Sequence, residues 1–145
     1  MLEFLINDQD RACIGEGLTT LAERYASFFP EGPAQVEIEL LVASDIQALN
    51  LQYRGINLPT DVLSFPVYTN LQEAPGGIPF LLGSIVICPE KAVTYEEPLI
   101  DLVHHGLLHL IGFDHETQRE AWDQMEAALL TSLVTSELNI SPAPH

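Results

Sequence analysis

The sequence predicts one domain in which strands and helices are mixed along the chain, of the α+β or α/β class. Three observations predict it. The 145 residues suffice for one hydrophobic core, and 47% of them are hydrophobic. Gln35 to Val42 alternates, with Val36, Ile38, Leu40 and Val42 on one face and Glu37 and Glu39 on the other, the mark of a half-buried strand. Glu16 to Phe29 and Pro98 to Ile111 instead carry helix patterns that stop at Pro30 and Gly112.

In order along the chain, Leu2 to Ile6 reads as a short first strand. Glu16 to Phe29 places Leu18, Leu21, Ala22, Tyr25, Phe28 and Phe29 at helical spacing, with Gly32-Pro33 beyond the stop. After the alternating strand, Ser44 predicts a helix cap with Gln47 as its capping-box partner, and the helix runs to about Tyr53. Asp61 to Val67 reads as a strand whose Pro66 favours an edge or a bulge. Tyr68 to Pro79, with Pro75-Gly76-Gly77, is a loop, and Leu81 to Cys88 is a β-rich run. Pro89 opens a short helix, and Pro98 sits at the first turn of the next, which ends at Gly112. Thr117 and Glu120 form a second capping box before a final helix through about Leu138. The domain is expected to occupy residues 1–139, with 140–145 a frayed tail.

The formal net charge is -16, from 21 acidic residues against 5 basic ones, and Lys91 is the single lysine. Broad electrostatic capture of nucleic acid is thereby excluded, since phosphate binding normally rests on clustered Lys and Arg. Low basicity also serves solubility, which is its plainest reading. No apolar run approaches the roughly 20 residues that span a bilayer. The N-terminal segment has neither a basic region nor a signal-like cleavage site. Cys13 and Cys88 are too few for a disulfide framework and lack zinc-ribbon spacing. A cytoplasmic protein with two buried, reduced thiols and no membrane partner is the expectation.

The informative segment is His105-Gly106-Leu107-Leu108-His109-Leu110-Ile111-Gly112-Phe113-Asp114-His115. His105 and His109 stand at i and i+4, so they share a helix face with Cβ atoms about 5–6 Å apart. Two imidazoles so placed can meet an ion at roughly 2.0–2.1 Å from each nitrogen. Gly112 can take the left-handed conformation that turns the chain back, returning His115 as a third ligand. Three neutral imidazoles leave one tetrahedral position for water, the mark of a catalytic rather than a structural zinc. Histidines can also fall at helical spacing by chance. Against that, three of the five fall within eleven residues, on a helix whose other faces carry Leu107, Leu108, Leu110 and Ile111. Burying two unpaired imidazoles is unfavourable, whereas a metal satisfies them. One zinc ion per chain on His105, His109 and His115 is therefore predicted.

The spacing equals that of the metzincin proteases, which makes this a zincin-like helix, with one difference. The glutamate that activates water in those enzymes is replaced by Gly106. Its absence argues against peptide hydrolysis, although a zinc-bound water still has a pKa near 7. Asp114 and Glu116 are the nearest candidate bases, and Asp114 equally suits holding a histidine N–H or capping the turn. His104 points about 100° away from His105 and reads as a non-ligand. Asp101 shares the face of His105 and suits either orienting that ring or a solvated helix start.

Arg54 ends the second helix pattern in Leu49-Asn50-Leu51-Gln52-Tyr53-Arg54-Gly55. A helix C-cap, a surface ion pair or a functional cation all fit it. Together with Thr60-Asp61-Val62-Leu63-Ser64-Phe65 and the histidine run, this segment resembles the bacterial YbeY family, in order from about Val36 to Met125. The resemblance implies a compact α+β domain with a mixed, roughly four-stranded sheet. It implies zinc on His105, His109 and His115 and a functionally important arginine at Arg54. It further implies a metal-dependent, single-strand-specific endoribonuclease acting in 16S ribosomal RNA 3′-end maturation and ribosome quality control.

Three departures accompany it. Many members carry Leu-Gly-Asp where this chain has Leu82-Gly83-Ser84, and many have a further histidine where Asp101 stands. The short span between Cys88 and the histidine helix also suggests a reduced outer helix. The expected catalytic set is Arg54, His115 and Asp114, with Arg54 gripping phosphate oxygens through its planar fork. So acidic a chain is expected to meet single-stranded ribosomal RNA presented by the small ribosomal subunit or a ribosome-associated protein. Two alternatives stand beside this reading: a zinc hydrolase of another ester or amide, and a non-catalytic ribosome-assembly factor with a structural metal.

Overall fold

The first strand, β1 (Leu2–Leu5), buries Leu2 and Phe4 and exposes Glu3 and Leu5, the period-2 pattern of a half-covered sheet. The computed structural model describes residues 1–29, 33–68 and 77–112. Along these the elements are β1, α1 (Asp8–Ile14), α2 (Gly17–Tyr25) with a 3₁₀ turn at Ala26–Phe28, β2 (Ala34–Leu40) and α3 (Ala43–Arg54). There follow β3 (Val62–Pro66), β4 (Phe80–Ile87), α4 (Pro89–Thr94) and α5 (Leu99–Ile111). The predicted final helix, the Thr117–Glu120 capping box and the tail 140–145 lie outside the described residues.

The four strands form one mixed sheet in the order β1-β2-β4-β3. β1, β2 and β4 run parallel, and β3 pairs antiparallel with β4 at the edge. Pro66 thus sits on an edge strand, where its missing N–H breaks no ladder. The sheet's irregularity lies instead at Gln35/Val36 against β4. The result is the α+β domain with a mixed four-stranded sheet that the family resemblance implied.

Side chains alternate across the sheet and so build two cores. On one face Val36, Ile38, Ile85 and Ile87 pack with Leu18 and Leu21 of α2 and with Leu107 and Leu108 of α5. On the other face Leu63, Val86 and Cys88 pack against Ile46 of α3. Helices α3 and α5 therefore flank the β3–β4 pair from opposite sides. At Gly106 α5 packs tightly on β4, and a Cβ there would stand 2.9–3.1 Å from Ile85 side-chain atoms.

Two local expectations are corrected, and one helix, α1, was not expected at all. α1 has no buried residue, so it lacks the apolar stripe by which helices are recognised. It is set instead by Asn7, whose Oδ1 accepts the Asp10 N–H at 2.7 Å. The predicted Ser44–Gln47 capping box does not form. α3 begins at Ala43, after Val42, with no side-chain cap from its own end. The Ala43 N–H instead donates to Glu90 Oε1 of α4 at 3.4 Å, and Gln47 Nε2 donates to Asn57 Oδ1 at 3.0 Å. Cys88 is buried as expected, but Cys13 is exposed on α1. No helix among the described residues is long and apolar enough to cross a membrane.

Candidate active site

α5 is enclosed on nearly every side. From Asp101 to Ile111 every residue is buried except His105 and His109, which are half-buried. Their spacing of four residues stacks them on one helix face, and their rings stand edge to face at 5.1 Å, inclined by 70°. Gly112 closes the helix in the left-handed conformation at φ 106°, with its N–H directed to the His109 carbonyl at 3.1 Å. The turn predicted after His109 is therefore present. His115 and Asp114 lie outside the described residues.

The second wall comes from the end of α3 and from β3. Gly55 takes the left-handed cap at φ 70°, so the cap is glycine and not Arg54. Beyond it, Asn50 is buried and donates from Nδ2 to the Leu58 carbonyl at 2.9 Å, folding the 55–60 segment back along the helix. The Tyr53 ring meets Phe65 of β3 edge-on at 5.0 Å, which fixes the helix terminus beside the strand. Thr60 and Asp61 then enter β3. Asp61 Oδ1 accepts both the Val62 N–H at 2.8 Å and the Thr60 hydroxyl at 3.2 Å, so that carboxylate oxygen is held by its own neighbours.

These walls enclose a cleft of about 360 Å³ lined by Arg54, Thr60, Asp61, Val62, Leu63, Ser64, His105 and His109. That volume is at the lower end for ligand clefts. Arg54 and the two histidines are about fifty positions apart in the chain, and they meet here. Arg54 is exposed, and among the described residues no carboxylate pairs with it. A guanidinium so placed is available to an anion that enters the cleft.

The donor set suits a metal ion. Two imidazoles on adjacent turns face one cleft, and a borderline-soft cation such as Zn²⁺ takes such ligands readily. Among the described residues no group of three His, Cys, Asp or Glu side chains converges, and the predicted third ligand lies outside them. His104 faces the core and not the cleft. It is fully buried, and its Nε2 hydrogen-bonds the Tyr25 hydroxyl at 2.7 Å. Asp101 is also buried, which removes the reading of a solvated helix-start carboxylate.

Position 84 is not part of the cleft. Ser84 lies opposite Glu37 on β2, and its hydroxyl donates to Glu37 Oε2 at 3.2 Å. A carboxylate there would face Glu37 directly. The lining residues that spacing arguments overlooked are Thr60, Asp61, Val62, Leu63 and Ser64. Their signal was present in the Thr60–Phe65 run, but no periodicity reveals which backbone groups of a strand face a cleft.

Comparison with known proteins agrees with this arrangement. The family model described as endoribonuclease YbeY matches residues 6–134. A curated relative named endoribonuclease YbeY from Chelativorans sp. (strain BNC1) is 36% identical over 133 residues, covering 83% of this chain and 80% of that protein. Another of that name, from Chromohalobacter salexigens, is 42% identical over 102 residues, covering 64% of this chain and 62% of its own. Among solved structures, the solution structure of TM1509 from Thermotoga maritima covers all of both chains with a TM-score of 0.56 at 23% identity, a likeness of fold. With a family model spanning all but the ends and a relative aligned over most of both lengths, the chain belongs to the YbeY family of endoribonucleases, hydrolases of ribosomal RNA maturation.

Proposed function

We propose that this chain is a metal-dependent, single-strand-specific endoribonuclease acting at the 16S ribosomal RNA 3′ end. Its metal, zinc, would be held by His105, His109 and His115. The observation that carries the reading is the meeting of Arg54 with His105 and His109 in one cleft, from helices on opposite faces of the sheet. When bound, such an ion supplies Lewis acidity and brings the pKa of a bound water to near 7.

The chain's own residues do the rest. Arg54 grips non-bridging phosphate oxygens with paired N–H donors and offsets charge that develops on them. His105 and His109 would hold the ion through their ring nitrogens, with His115 as the third ligand. Asp114, one residue before the third ligand, either moves a proton or steadies His115. Gly106, standing where metzincins carry a glutamate, argues against peptidase chemistry. Its Cα faces Ile85 of the sheet, so a glutamate there would clash with the core.

The net charge of -16 keeps naked RNA away over most of the surface. A substrate presented by the small ribosomal subunit or an associated protein fits that charge, because the partner then supplies the affinity. The test pairs metal analysis of purified protein with cleavage of single-stranded RNA and with 16S end-mapping in depleted cells. Stoichiometric metal, cleavage lost in His105→Ala and Arg54→Ala, and unprocessed 3′ ends support the reading. Variants that cleave as well as the parent, or intact ends after depletion, overturn it.

A further inference from the structure

Among the described residues strand β3 is an edge of the sheet, and its pairing with β4 decides which of its backbone groups turn outward. The register places Val62 opposite Ile87 and Phe65 opposite Ser84. Just beyond the strand's ends, the Cys88 N–H donates to the Asp61 carbonyl at 2.8 Å and the Val67 N–H donates to the Leu82 carbonyl at 3.0 Å. In an antiparallel ladder, residues alternate between pairs that exchange hydrogen bonds and pairs that do not. Those two bonds put Asp61, Leu63, Phe65 and Val67 in the exchanging pairs. Leu63 and Phe65 turn their backbone groups toward β4, whereas Val62, Ser64 and Pro66 turn theirs to the open edge.

Two of these three edge positions offer no free donor. Pro66 has no N–H. The Val62 N–H is taken by Asp61 Oδ1 at 2.8 Å. That leaves Ser64 as the one outward-facing backbone donor of β3 among the described residues. Ser64 is also a lining residue of the cleft that holds Arg54, His105 and His109.

We propose that the Ser64 backbone N–H is an additional phosphate-oxygen donor of this site, holding a non-bridging oxygen of the scissile phosphodiester beside the Arg54 guanidinium. The inference rests on the endoribonuclease reading and adds a substrate contact to it. A strand N–H suits the task because the ladder fixes its direction before substrate arrives, so no reorganisation is needed as charge develops. It also adds a donor without adding a mobile side chain. The Asp61 bond to Val62 assists, since it draws one carboxylate oxygen into a local contact and away from an incoming anion.

The first test uses ¹⁵N-labelled, zinc-loaded full-length protein titrated with dimethyl phosphate, a diester it does not need to cleave to bind. The Ser64 amide proton is expected to move downfield, with the ladder-bound Leu63 and Phe65 amides moving far less. A stationary Ser64 amide in a titration that shifts the Arg54 side-chain resonances overturns the proposal. The second test compares Ser64→Ala, which keeps the N–H, with Ser64→Pro, which removes it at a position that breaks no ladder bond. In single-stranded RNA cleavage, kcat of Ser64→Pro is expected to fall about 10²–10³-fold below that of Ser64→Ala. Equal kcat values in the two folded variants overturn the proposal. If Ser64→Pro loses its metal or its cooperative unfolding, the amide titration decides alone. Wild-type cleavage by Arg54→Ala and His105→Ala marks the different failure, that of the endoribonuclease reading itself.

Discussion

The Tyr25 hydroxyl and His104 Nε2 stand 2.7 Å apart in the core, joining α2 to the histidine helix one residue before His105. Both residues are almost completely buried, at 2% and 0% exposure. A hydrogen bond at such a place matters chiefly through the cost of removing it, because the polar atom left behind has no water to turn to. Tyr25→Phe is therefore expected to lower stability by about 1–3 kcal/mol in urea unfolding, with the m-value unchanged. An unchanged midpoint would show that this bond does not tie the two helices.

Arg54 and the histidines line one cleft but differ in what they are expected to hold, and the difference is measurable. His109→Ala is expected to lower the metal content of purified protein well below one ion per chain. Arg54→Ala is expected to keep its metal and to lose about 10²–10³-fold in kcat, the usual scale for one charge-stabilising donor. Arg54→Lys restores the charge but not the planar fork, so it should recover only part of that loss. Elemental analysis beside single-turnover kinetics separates the two classes. Loss of metal from Arg54→Ala would assign it a structural task instead.

Gly106 lies tight against Ile85 of β4. Gly106→Glu would restore the residue that metzincins carry at this point of the motif, yet it would press a carboxylate onto Ile85. We expect a destabilisation of at least ~3 kcal/mol, from overpacking together with burial of an unpaired charge, and no peptidase activity. Thermal unfolding and a casein-cleavage assay check it. A stable variant that cleaves peptides would mean that position 106 faces the cleft.

Ser84 and Glu37 form a cross-strand pair on adjacent strands. Ser84→Asp places like charges opposite each other and is expected to cost about 0.5–1 kcal/mol at low ionic strength. Added salt should reduce the cost, and Glu37→Gln should remove most of it. RNA cleavage should be unaffected, because neither residue lines the cleft. A loss of cleavage in Ser84→Asp would link β4 to the site by a route that the lining does not show.

Much of this was legible in the sequence because it is local. The alternation of Val36 and Ile38, the stop at Gly112 and the i, i+4 histidines are all set by periods of 2 and 3.6 and by glycine's freedom at positive φ. Helix α1 escaped notice because it buries nothing, so no stripe betrays it. The Ser44–Gln47 cap was misjudged because a carboxylate from α4, nearly fifty residues away, caps α3 in its place. Asp101 looked equally suited to solvent, and only the packing around α5 shows it enclosed.

The sequence by itself determined the mixed fold class, the histidine face and the family. Each follows from spacing along a few consecutive turns, or from runs of residues that keep their order. The tertiary structure decided what spacing cannot express. It brought Arg54 from one side of the sheet to His105 and His109 on the other, decided between the edge and the bulge that Pro66 allowed, and turned the Ser64 N–H outward. The reason is physical. Which strand is left at an edge, and which of its donors pair inward, depends on a partner strand about twenty residues away, and no local period records that partner.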